Sequence, residues 1–214
     1  MASKKIMVIS VHPDDETIGC GGTILKHVNG GDEVAVTFVT DGNSTQKKLI
    51  DGIVSAYGMN DHFRLQLDEI SLERQPLSDI IGEIANVFRI FQPNVVYLPN
   101  RSDVHSDHRR TFEACQACLK SFRFPFIDRA LMAEVISETD FAPALPENVF
   151  MPNVFVDISK FFDRKIEIMK MFEAELLEDP YTRSLSAMEA YNRYRGSLIN
   201  ARYAEAFSLL KERI

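Results

Sequence analysis

The 214-residue sequence predicts an α/β fold: a Rossmann-like three-layer sandwich around a mostly parallel sheet, in a single domain covering residues 1–214. Short apolar runs rich in β-branched residues alternate with longer helical patterns, which is the signature of strands crossed by helices. The runs are punctuated by turns that carry glycine, proline or acidic residues, and no internal repeat interrupts the alternation.

Ile6–Ser10 (IMVIS) is the first strand, followed by an acidic turn and a helix over Thr17–Val28 that Gly30 and Gly31 stop. Glu33–Thr40 (EVAVTFVT) is the second strand, so these elements form a βαβ unit with parallel strands and a right-handed crossover. Leu49–Tyr57 reads as helix, Phe63–Leu67 as a weak strand, Leu77–Phe91 as helix and Asn94–Pro99 as a fully buried strand. A helix over Asp107–Phe122 and a strand over Ala130–Ser137 continue the pattern. Asp140–Pro152 is a surface loop, and Val154–Ile158 is one more strand of the same fold. Phe162, Ile166, Met169, Phe172 and Leu176 fall at helical spacing and predict one amphipathic helix with that stripe on the core. Glu178–Ser186 is a loop, and Ala201–Lys211 reads as a C-terminal helix.

Composition narrows the partners. With 24 basic and 31 acidic residues, a net charge of −7, the chain lacks the balance expected of a nucleic-acid or anionic-membrane surface. No apolar run approaches the ~20 residues of a membrane span. The start, MASKKIMVIS, passes from lysines into a strand without a signal-peptide pattern. Cys20, Cys115 and Cys118 cannot all pair within the chain. A reduced, cytoplasmic setting is therefore expected, with a small-molecule substrate and a possible homo-oligomer.

Ligands of an open parallel sheet bind beyond the carboxyl ends of the strands, where strand order reverses. The first strand runs into VHPDDETIGCGG, with His12, Asp14, Asp15 and Glu16 in close succession; the strand at Asn94–Pro99 runs into Asp103, His105, Asp107 and His108. If those strands are neighbours, as in the order 3-2-1-4-5, the two loops face each other across one crevice. Neutral imidazole and anionic carboxylate donors suit a borderline divalent ion, above all zinc. Such an ion also offsets the repulsion among adjacent acids. Each half alone is ordinary: His-x-x-His is usually accidental, and an acidic turn usually caps a helix. Gly19, Gly21 and Gly22 do not fit the G-x-G-x-x-G spacing, so helix packing is their expected role. Cys115-x-x-Cys118 belongs to a buried helix face, and His27 and His62 lie outside both loops.

The pentapeptide His12–Glu16 together with His105-Ser106-Asp107-His108 resembles the LmbE/PIG-L family of zinc-dependent sugar N-deacetylases. Pro93–Pro99, Arg195-Gly196 and Tyr203–Phe207 resemble further parts of that family, so the likeness extends over nearly the whole chain. The resemblance implies that His12, Asp15 and His108 bind Zn2+ and that Asp14 is the general base. It implies that His105 steadies the oxyanion or protonates the leaving amine, with Asp107 orienting His105. The implied substrate is an N-acetylated amino sugar or its conjugate, of the N-acetylglucosamine type, cleaved to release acetate. Ser106 stands where several relatives have proline, and Asn43–Glu73 has no alignable counterpart, so substrate identity does not transfer. Arg183-Ser184 resembles a motif of relatives from glycan-assembly pathways, and Arg183 is a candidate for binding a substrate phosphate or carboxylate. Two other readings of the same residues are a metal-dependent phosphoesterase, which usually uses two metals, and a catalytically silent sugar-binding protein. Glu16 has no assignment beyond helix-start electrostatics.

Overall fold

The computed structural model describes residues 3–214, so the first two residues of the expected domain lie outside it. Seven strands form one sheet: β1 (Lys5–Ser10), β2 (Glu33–Thr40), β3 (Asp61–Leu67), β4 (Val95–Leu98), β5 (Arg129–Ala133), β6 (Val154–Asp157) and β7 (Ala204–Glu212). Their order is β3-β2-β1-β4-β5-β7-β6. The first five are parallel, whereas β7 runs antiparallel to both of its neighbours. The six α-helices of the described residues are α1 (Asp15–Asn29), α2 (Ser44–Tyr57), α3 (Leu77–Phe91), α4 (Ser106–Ala117), α5 (Phe162–Met169) and α6 (Leu185–Ser197).

Alternation along the central strands divides the core into two layers. Ile6 and Val8 of β1 point with Val34 and Val36 of β2 into a cluster with Ile18 and Ile24 of α1, Ile53 of α2 and Ile168 of α5. Met7 and Ile9 point the other way and meet Ile80, Ile84 and Phe88 of α3 and Cys115 of α4. No helix among the described residues is long and apolar enough to cross a membrane.

Strand order reverses beside β1, whose neighbours are β2 on one side and β4 on the other. Val8 pairs with Val36 and with Tyr97, so the ends of β1 and β4 lie side by side and deliver both motif loops to one crevice. Close packing of α1 is enforced by its glycines. A Cβ on Gly22 would stand 2.6 Å from Cβ of Ile158, and one on Gly21 would stand 2.7 Å from the Tyr57 hydroxyl.

Some expected helices differ in kind or extent. Ala201–Lys211 does not form a helix, because residues 204–212 are strand β7, inserted between β5 and β6. Phe207 and Leu209 pack into the same layer as α1, and long-range pairing overrides local helix preference. The helix expected through Leu176 ends at Met169; 3-10 turns follow over Lys170–Glu175, where Phe172 leaves helical geometry (φ −89°, ψ 47°) while remaining buried. Helix α4 also stops at Ala117, short of Phe122.

A buried ion pair ties this C-terminal half to α1. Lys165 Nζ donates to Glu205 Oε1 (2.8 Å), the Ile18 carbonyl (2.8 Å) and Asn192 Oδ1 (3.2 Å). Glu205 in turn accepts from the backbone N–H groups of Gly22 and Thr23, both at 2.8 Å. Lys165 and Glu205 are only 1% and 2% exposed at their side chains, so removing one partner strands the other charge out of water. Lys165→Met should lower the unfolding free energy by about 3–5 kcal/mol. The double variant Lys165→Met, Glu205→Leu should recover part of that loss, as measured by urea denaturation.

Candidate functional site

The crevice is built around a strained turn. Asp14 precedes α1 with φ 144° and ψ −28°, backbone that side-chain-bearing residues rarely adopt. Glu16 braces it: its carboxylate accepts from the Asp14 N–H (3.1 Å), Ser10 Oγ (2.8 Å) and Thr17 Oγ1 (2.7 Å). This is the role that the sequence left open. Burial raises the Glu16 pKa, against those hydrogen bonds.

His12, Asp15 and His108 offer one ligand atom each, all within 4.8 Å of one another, and all three residues are buried. Asp15 Oδ2 lies 3.2 Å from His108 Nε2 and 3.7 Å from His12 Nδ1, and it accepts the His12 N–H at 2.8 Å. The far side of each imidazole meets a different carboxylate. His108 Nδ1 is 2.8 Å from Asp103 Oδ2, and His12 Nε2 is 3.3 Å from Asp107 Oδ2. Each carboxylate favours a proton on the nitrogen facing it and leaves a lone pair directed at Asp15, the arrangement that orients imidazole ligands toward a metal. Asp103 is fixed by Asn100 Nδ2 (2.9 Å) and Thr139 Oγ1 (2.7 Å).

His108 Nε2 and Asp15 Oδ1 are buried with no hydrogen-bond partner, so the donor set fits a cation between them. Its electrostatics agree. Burial alone would lower the His108 pKa, yet Asp15 and Asp103 on either side push it well above the ordinary histidine value. Burial would raise Asp15, but His108 and His12 hold it well below the usual carboxylate range. The pocket attracts positive charge to this point.

Asp14 lies beside these donors with a different environment. Its Oδ2 accepts from Arg183 Nη1 at 2.8 Å, while its Oδ1 is buried and unpartnered. Burial, reinforced by Asp15, raises its pKa well above the usual carboxylate value; Arg183 opposes the rise. Arg183 also lies 3.6 Å from Glu138 and 3.6 Å from Glu175, so its guanidinium is shared among three carboxylates and is not a free anion receptor.

His105 sits across the crevice, its ring 4.7 Å from that of His12. The expected link to Asp107 takes another form. The Asp107 carboxylate is turned to His12 and to the N–H groups of Ile70 (2.8 Å) and Leu72 (3.2 Å); it is the Asp107 backbone N–H that donates to His105 Nδ1, at 3.1 Å. That bond leaves the proton of neutral His105 on Nε2. The physical reason is the start of α4: His105 is its N-cap, and the helical turn points the next side chains elsewhere. A second group of possible ligands, His12, His105 and Asp107, shares His12 with the first.

Sequence reasoning left Asp103 without a role and missed Glu138, which lines the crevice with Arg183. The signal for Asp103 was its place five residues before His108 on the same loop. His27 is occupied by Asp32 (2.7 Å) and the Tyr97 hydroxyl (3.0 Å), and His62 by Asp51 (3.3 Å).

A family model described as PIG-L, GlcNAc-PI de-N-acetylase, matches residues 7–119, more than half of the chain. The chain belongs to this family. Among curated relatives, a diacetylchitobiose deacetylase of Thermococcus kodakarensis is 27% identical over 227 residues, covering 94% of this chain and 81% of the relative. Among solved structures, N,N'-diacetylchitobiose deacetylase from Pyrococcus horikoshii superposes with a TM-score of 0.77 at 21% identity, over 97% of this chain and 84% of that one. The 4-carboxy-2-hydroxymuconate hydratase of Pseudomonas putida KT2440 superposes almost as well, with a TM-score of 0.76 at 17% identity, over 99% and 98%. A deacetylase and a hydratase thus share this fold, so the fold alone does not assign the reaction.

Two variants test the cation site. His108→Ala should abolish tight divalent-cation binding, and Asp103→Asn should weaken it about 10–100-fold by releasing the imidazole behind which it sits. Calorimetric titration of chelator-treated protein with Zn2+ reads both.

Proposed function

We propose that this PIG-L family chain is a zinc-dependent N-deacetylase acting on an N-acetylated amino sugar or its conjugate. The observation that carries the reading is the buried set of His12, Asp15 and His108 beside the unpartnered Asp14 Oδ1. Family membership and the deacetylases among its relatives agree with it. Two neutral imidazoles and one carboxylate suit zinc and leave a coordination position open. Zinc held there supplies Lewis-acid polarisation and lowers the pKa of a coordinated water from 15.7 toward about 7.

The chain's own residues do the rest. Asp14 Oδ1 accepts the proton of the attacking water, while Arg183 fixes the other oxygen and keeps the carboxylate from rotating. His105 Nε2–H donates to the oxygen that becomes negative as the acetyl carbon turns tetrahedral. The amine must leave protonated, and the raised proton affinity of Asp14 suits it to retain the proton and return it to nitrogen. Asp107 acts on both sides of the crevice, through its carboxylate on His12 and its N–H on His105.

A phosphoesterase with two metals is disfavoured because the second group of ligands draws on the same His12. Metal analysis should return about one zinc per chain. Asp14→Asn should keep that zinc and lower acetate release about 10²–10⁴-fold in an assay on N-acetylglucosamine and N,N'-diacetylchitobiose. Wild-type turnover by the variant, or acetate release from none of these sugars by the zinc-loaded protein, contradicts the assignment.

A further inference from the structure

The peptide unit that enters Asp14 is held at both ends. The Pro13 carbonyl accepts from Gln46 Nε2 at 2.9 Å, and the Asp14 N–H donates to Glu16 Oε2 at 3.1 Å. Bonds on opposite edges of one planar unit fix its rotation, and with it the φ of 144° at Asp14.

The hold on the N–H reaches further. Glu16 Oε1, the oxygen not used on Asp14, accepts from Thr17 Oγ1 at 2.7 Å, and Thr17 Oγ1 accepts from the Tyr57 hydroxyl at 2.9 Å. All three residues are buried. A carboxylate only accepts, so the threonine proton points to Glu16 and the tyrosine proton to Thr17. Gly21, one helical turn beyond Thr17, leaves room for the phenol, since a Cβ there would stand 2.7 Å from its oxygen. Without Tyr57, the Thr17 hydroxyl is free to turn to the Asp14 carbonyl three residues back, which the Thr17 N–H already meets at 2.9 Å.

Both holds trace back to α2. Gln46 and Tyr57 stand at the two ends of its buried stripe, with Ile50 and Ile53 between them. Their spacing is about three helical turns, so the two polar groups share a face. Ile50 and Ile53 seat that face in the core layer that contains Ile18 and Ile24 of α1.

We propose that Gln46 and the Tyr57–Thr17 pair are positioning residues, through which α2 grips the Pro13–Asp14 peptide and holds the Asp14 carboxylate beside the cation site. Tyr57 and Thr17 act from outside the crevice, since neither lines it. The inference rests on the deacetylase reading for the role of Asp14 and adds what keeps Asp14 in place.

Geometry and turnover are read separately, both in zinc-loaded protein. Tyr57→Phe removes one oxygen and leaves the ring; Thr17→Val removes the hydroxyl at nearly constant shape, and Thr17→Ser keeps it. Tyr57→Phe and Thr17→Val should move the Asp14 amide proton upfield in NMR spectra as its bond to Glu16 slackens. They should also lower kcat for acetate release from N-acetylglucosamine or N,N'-diacetylchitobiose about tenfold, since an ångström of misplacement costs up to about 10²-fold. KM and calorimetric zinc affinity should stay at their wild-type values, and Thr17→Ser should retain both the amide signal and kcat. The double variant Tyr57→Phe, Thr17→Val should be no slower than Thr17→Val alone, because both act through one chain of bonds. Gln46→Met should shift the Pro13 carbonyl carbon signal and lower kcat likewise. A purely structural role would lower the unfolding temperature and leave the Asp14 amide and kcat in place. That result overturns the proposal, as does a Pro13 carbonyl unmoved by Gln46→Met, a Tyr57→Phe loss carried by KM or zinc affinity, losses that multiply in the double variant, or Thr17→Ser as slow as Thr17→Val. If Thr17→Val does not fold, Tyr57→Phe against Thr17→Ser carries the same decision. A displaced Asp14 amide with acetate released from neither sugar supports the grip and overturns the deacetylase reading alone.

Discussion

The Asp15 carboxylate, 5% exposed, faces the ring nitrogens of two buried histidines, and the rest of the crevice is organised around that contact. An ionised carboxylate out of water needs compensation, and the histidines that hold Asp15 ionised supply part of it; a divalent cation between them would supply the rest. Asp103 and Asp107 sharpen the demand, since each adds negative charge behind a histidine and turns its lone pair inward. A divalent cation satisfies all of these groups at once. At the strained Asp14 backbone the neighbouring carboxylates part ways, Asp15 toward His12 and His108 and Asp14 toward Arg183.

The neighbouring carboxylates are differentiated by their partners. Asp15 is held ionised by histidines, Asp14 is inclined to take a proton, and Glu16 is spent on backbone geometry. Three adjacent acids with three environments suit the roles proposed for them, one ligand, one base and one brace. A sheet shared with a hydratase provides the frame for this division but does not dictate it.

The central part of this architecture was legible in the sequence because the strands there are buried on both faces and their apolar runs are unbroken. The switch point beside β1 followed from that alternation, and with it the meeting of the two motif loops. The last strand was not legible. Its inward row, Glu205, Phe207 and Leu209, begins with a carboxylate whose partner, Lys165, lies 40 residues earlier, so the period of two was masked by a buried ion pair. The resemblance implied that Asp107 orients His105; its backbone N–H holds His105 Nδ1, whereas the first turn of α4 sends its side chain to His12. Both differences concern direction set by distant partners, which local patterns do not encode.

The Lys165–Glu205 pair has a consequence in time as well as in space. Glu205 holds the N–H groups of Gly22 and Thr23, and Lys165 holds the Ile18 carbonyl, in the helix whose first turn presents Asp15. During synthesis α1 emerges almost two hundred residues before the carboxylate that secures it. A nascent chain ending at α6 therefore carries both halves of the crevice but lacks the clamp on their shared helix. Completion of β7 is thus what completes the clamp on the helix that presents Asp15.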